Sequence, residues 1–190
     1  MTADRLRGEE SLRTIKLART AARIALWTAC GVAVAGIERL LPTPLPWVRL
    51  GLANGAALLV LLTLGFSAAM LVNVARVCVV ALLFGSWASP AFLLSLSGAV
   101  ASVLVMAGLR ALPERLIGPI GLSVAGAFTH MLVQFLVAMA LFVRHSSILA
   151  FAGPSLIVAV LSGALVGVVV ALVLGRLPQT LLGTAVAGYR

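Results

Sequence analysis

Apolar residues along the chain fall into six runs, separated by short segments bearing proline, glycine or polar residues. The runs cover about Ala21–Leu41, Leu50–Gly65, Ser67–Phe84, Ala91–Arg110, Gly121–Val143 and Pro154–Leu177. A bilayer-crossing helix needs about 20 such residues. The second run is short and carries glycine. The breaks are Pro42-Thr43-Pro44-Leu45-Pro46, Gly65-Phe66-Ser67, Gly85 to Pro90, Leu112-Pro113-Glu114 and Arg144-His145-Ser146-Ser147. Each is a turn or breaker cluster. The pattern predicts an all-α polytopic membrane bundle of six transmembrane helices. Residues 1–20 form a basic N-terminal segment, 21–177 the transmembrane domain and 178–190 a tail. No soluble domain and no internal repeat is visible.

Composition supports this class. Hydrophobic residues make up 62% of the 190 and charged residues 10%, against roughly 25% charge in a soluble domain. The net charge of +9 invites a nucleic-acid partner, but the placement of the basic residues explains it better. With the N-terminus inside, Arg5, Arg7, Arg13, Lys16, Arg19, Arg23, Arg110, Arg115, Arg176 and Arg190 fall on the cytoplasmic side, and only Arg39, Arg49 and Arg144 on the other. Both termini are therefore expected in the cytoplasm, in a bacterial-type inner membrane, with lipid as the partner and no nucleic acid. Met1 to Arg19 is polar and basic and lacks a signal-peptide cleavage pattern. This segment either lies on anionic lipid or simply sets the topology. Cys30 and Cys78 sit in apolar runs at no metal or disulfide spacing.

Arg76 breaks the rule for the whole third run. A charge at the centre of a spanning helix costs roughly 2.5–3.5 kcal/mol on insertion scales, so Arg76 is expected to face the bundle interior. Asn73 lies one turn earlier and Asn54 one turn into the second run. The fifth run carries Ser123, His130 and Gln134 on one face. Ser95 and Ser102 are seven apart in the fourth run, as are Ser155 and Ser162 in the sixth. Serines in membrane helices often serve packing alone. Intramembrane ionisable groups point to function, and Arg76, His130, Gln134, Asn54, Asn73 and Ser95 form the candidate substrate-binding set.

Two further features sit nearer the surface. Alternate prolines at 42, 44 and 46 favour an extended, semi-rigid chain, ending in Trp47 and Arg49. These two are either interfacial anchors or a lid over a cavity. In the first run Ala21, Ala25, Ala29 and Ala33 recur every four residues. That small face suits either the docking of another subunit or ordinary packing within the bundle.

The residue inventory narrows the chemistry. Of five acidic residues, Asp4, Glu9 and Glu10 lie in the basic segment, leaving Glu38 and Glu114 at helix ends. No carboxylate cluster suited to magnesium exists, nor a glycine-rich phosphate loop followed by lysine. A single deep histidine does not suit haem. No nucleophile–base pair stands out. The expectation is no cofactor, no metal site and no catalysis by this chain alone.

Pro-Leu-Pro-Trp-Val-Arg-Leu-Gly-Leu-Ala-Asn at 44–54 resembles the loop-to-helix signature of the Gx transporter family, also labelled heptaprenyl diphosphate synthase component I. So do Asn73-Val-Ala-Arg76 with Phe84-Gly85, Leu94-Ser-Leu-Ser-Gly-Ala99, and Gly121-Leu-Ser-Val-Ala-Gly-Ala127 followed by His130 and Gln134. The resemblance covers roughly residues 20–177. That family looks similar to the substrate-binding S components of energy-coupling factor transporters. The resemblance implies six helices and a first-loop lid over an outward-side pocket. It also implies an alanine face on the first helix that docks a transmembrane coupling subunit. The expected function is capture of a small metabolite or vitamin for import, with an anionic ligand weakly favoured and with coupling subunit and ATPases supplied by other chains. The alternative is a membrane accessory subunit in isoprenoid or quinone metabolism, or in flavin- and quinone-linked electron transfer.

Overall fold

In the computed structural model, residues 3–40, 51, 53–113, 116–142 and 148–176 are described. They form six helices: α1 (Ala3–Leu40), α2 (Ala53–Thr63), α3 (Phe66–Leu83), α4 (Pro90–Leu109), α5 (Pro119–Leu141) and α6 (Ile148–Arg176). Five are long and apolar enough to cross a membrane, and α2 is the shorter one. Large apolar side chains such as Leu26, Leu71, Leu82, Leu104, Leu136, Leu161 and Leu172 cover the outer surface. A soluble monomer rarely exposes a belt of that extent, whereas lipid solvates it. The chain is a multi-pass membrane protein.

The helix limits follow local chemistry. Ser89 caps α4 by accepting from the Phe92 amide, and Pro90 opens its first turn, where its missing N–H costs nothing. Pro119 opens α5 in the same way. Gly65 ends α2 at φ +94, with its amide donating to the Val60 carbonyl at 3.1 Å. Two limits differ from expectation. The sixth helix starts at Ile148 rather than Pro154, which is accommodated within it. The first runs unbroken from Ala3 through the basic segment. Its 38 residues span ~57 Å at 1.5 Å per residue, and residues 7–22 are exposed throughout.

The second helix shapes the interior. Its 11 residues reach only ~16 Å, about half of a hydrocarbon core. It is apolar on every face and buried on every face, from Ala57 to Leu62. Around it pack Val72, Val103, Met106, Leu122, Val166 and Val170. Glycines let the backbones close in. A Cβ on Gly167 would lie 2.6 Å from the Ile120 Cα, and one on Gly163 would lie 3.0 Å from the Val124 Cα. Helices α5 and α6 therefore touch almost backbone to backbone. The half of the bundle nearer the α1 N-terminus is filled by this apolar core.

Candidate functional site

Past the first turn of α2 the filling stops. A cavity of about 560 Å³ occupies the half of the bundle farther from the α1 N-terminus. Its walls come from the end of α1, the second half of α3, the first turns of α4, the second half of α5 and Phe151 at the start of α6. On the topology expected from the basic residues, that half faces outward.

Arg76 lies at the floor, only 8% exposed. Gly31 of α1 makes room for it, since a Cβ there would sit 3.0 Å from the Arg76 Cδ. The guanidinium donates to the Asn73 Oδ1 from Nε at 3.2 Å and from Nη2 at 2.7 Å. Nη2 also donates to the Asn54 Oδ1 at 3.1 Å. Asn73 is fully buried and turns its own Nδ2 to the Ala99 carbonyl at 2.9 Å. One network thus joins α2, α3 and α4. Its acceptors are all neutral oxygens. No described residue accepts from Nη1, although a guanidinium carries five N–H donors.

The other expected residues are placed as follows. Asn54, Ser95, His130 and Gln134 line the cavity with Arg76, while Asn73 supports the arginine from beneath. The His130 ring lies against α4, where a Cβ on Gly98 would meet its Nδ1 at 3.0 Å. Neither Ser95 nor Gln134 has a side-chain hydrogen bond among the described residues. Trp47 and Arg49 lie outside the described residues. Ala21, Ala25, Ala29 and Ala33 are all exposed, on a face of α1 turned away from the cavity. The opposite face of α1 presents Gly31, Ala35 and Glu38 inward.

Glu38 is the residue that sequence reasoning undervalued. The sequence placed it only at a helix end, but it is 7% exposed and lines the cavity. Its carboxylate acts electrostatically on Arg76. The spacing held a usable signal, because Gly31, Ala35 and Glu38 share one helical face. Arg39, read as a topology charge, also lines the cavity and lies over the Phe84 ring, 4.4 Å from its centroid. The apolar walls, Phe92, Met131, Phe135 and Phe151, carry no signal that separates them from ordinary membrane-helix residues.

The axis of α2 adds a field to this geometry. A helix carries roughly +0.5 of an elementary charge at its N-terminus and −0.5 at its C-terminus. Asn54, in the first turn, and Gly51 just before it both line the cavity, so the positive end faces the void. At the other end the Leu61 carbonyl accepts from the Arg110 Nη1.

A family model described as heptaprenyl diphosphate synthase component I matches residues 27–173. The chain belongs to that family. No curated protein and no solved structure matches it. The matched stretch contains every described residue lining the cavity. Ala29 and Ala33 fall within it, and Ala21 and Ala25 before it. Among the described residues no three of His, Cys, Asp and Glu converge as metal ligands would.

Proposed function

We propose that the protein is a membrane substrate-capture subunit. It binds a small metabolite in the cavity between α1, α3, α4 and α5, and other chains supply the coupling and ATP hydrolysis for import. The observation that carries this reading is the cavity itself. Buried polar groups from several helices, Arg76 among them, converge on one cavity in a mostly apolar bundle, as expected of a small-molecule site between helices. Its volume lies within the ~300–1,000 Å³ usual for such sites. Among the described lining residues no nucleophile is hydrogen-bonded to a base, which supports binding rather than catalysis by this chain alone. The exposed alanine face of α1 supports docking of a transmembrane coupling subunit, since small residues allow close helix approach. The inner membrane of a bacterial-type cell is the proposed location.

The family's name favours a second reading, in which the same chain is a membrane partner in isoprenoid metabolism; a part in quinone metabolism or in flavin- or quinone-linked electron transfer is the remaining alternative. Purification of the full chain from native membranes in mild detergent separates the two. Native mass spectrometry is expected to show a retained small molecule and a membrane coupling subunit. Recovery of a prenyl synthase or flavoprotein instead, with no retained metabolite, overturns the capture reading.

A further inference from the structure

Building on the capture reading, we propose that the cavity takes a ligand with one compact negative charge, a carboxylate, on an apolar body. Two independent features meet at the floor. The first is the positive end of α2, a helix that begins inside the bundle rather than at its surface. The second is Arg76, buried beside that end, with Nη1 taken by no described acceptor. A cation next to a helix N-terminus is held against the local field. The amide oxygens of Asn54 and Asn73 contribute only dipoles, and the Glu38 carboxylate acts on Arg76 without accepting a hydrogen bond from it. An anion at Nη1 would relieve both the buried charge and the helix end. Half-helix N-termini at mid-membrane serve anionic groups for the same reason.

The charge is limited to one. The described charged residues lining the cavity are Arg39, Arg76 and Glu38, two positive and one negative, so one further negative charge balances them. Glu38 lies seven residues beyond Gly31, the residue packed on the Arg76 stem, so its Cα is ~10 Å further along α1, and its side chain leans back toward the floor, where its carboxylate acts on Arg76. A second negative charge above the first would meet this carboxylate. A prenyl diphosphate brings such charges, and the described residues offer no carboxylate cluster to hold magnesium for it. Above the floor, Phe92, Met131, Phe135 and Phe151 form apolar walls suited to a ring or short chain. Ser95 and Gln134, with their hydrogen-bonding groups uncommitted among the described residues, suit a polar substituent partway up.

The test uses the purified full chain in detergent and a panel of aryl and alkyl monocarboxylates. Each acid is titrated beside its primary amide, with farnesyl diphosphate as the polyanionic arm. The best acid is expected to bind at least about tenfold more tightly than its amide. Arg76→Gln is expected to abolish that gap and Arg76→Lys to keep part of it. Should Arg76→Gln fail to fold, the acid–amide pairs on the unmodified protein decide the matter alone. Acids and amides binding equally, or farnesyl diphosphate outcompeting every acid, overturns the monocarboxylate assignment and leaves capture standing. Binding by no member of the panel overturns both.

Discussion

Helix α2 has an arginine at each end, and the two do opposite things. Arg110 meets the C-terminal end, where its charge complements the helix dipole and its Nη1 satisfies the Leu61 carbonyl. Arg76 meets the N-terminal end, where its charge opposes the dipole and only amide oxygens receive its hydrogen bonds. Around Arg110's end the bundle is packed solid by Leu58, Leu61, Leu62 and Met106. Around Arg76's end it is hollow. The same residue type beside the same helix is structural in one place and poised for a ligand in the other. The sign of the local field and the presence of a void decide which.

The sharpest way to break this comparison is to remove each arginine in turn. Arg76→Gln keeps a hydrogen-bonding side chain and removes the charge. Affinity for the preferred acid is expected to fall about 100-fold, since hydrogen bonds to a charged group are worth about 1.5–3 kcal/mol. Calorimetric titration of the folded fraction checks this, and unchanged affinity would reduce Arg76 to a packing pin. The next effect belongs to the filled half. Gly167→Ala places a methyl 2.6 Å from the Ile120 Cα, backbone that has little freedom to yield. A loss of about 1–3 kcal/mol is expected from overpacking, seen as a lower unfolding temperature, with ligand affinity of the folded protein preserved.

Arg110→Gln is expected to cost about 1–2 kcal/mol of stability by leaving a helix-end carbonyl poorly satisfied. Its ligand affinity should match the parent's. A loss of binding as large as that in Arg76→Gln would erase the distinction between the two ends. The smallest effect is expected for Gln134→Leu. Its amide holds up no described neighbour, so stability should stay within about 0.5 kcal/mol. A several-fold change in which carboxylates bind best, read by competition titration, would place Gln134 against the ligand.

Much of the fold was legible because helix formation and membrane insertion are local. Six apolar runs, their breakers and the excess of basic residues on one side need no tertiary information to read. The polar positions Asn54, Asn73, Arg76, Ser95, His130 and Gln134 stood out for the same reason, since each is costly in lipid wherever its helix goes. The tertiary structure decided the rest. An all-round apolar run such as Ala53–Thr63 looks alike whether lipid or protein surrounds it, so only packing showed that α2 is a buried half-span with its positive end at a void. Likewise, whether Arg76 would find a carboxylate, a neutral amide or nothing depended on the depth and rotation of helices distant in sequence. Those are set by glycine contacts at Gly31, Gly98, Gly163 and Gly167. Glu38 was readable as a charge near a helix end. Its burial over the same cavity followed only from the face that α1 turns toward α3, leaving the alanine face outside.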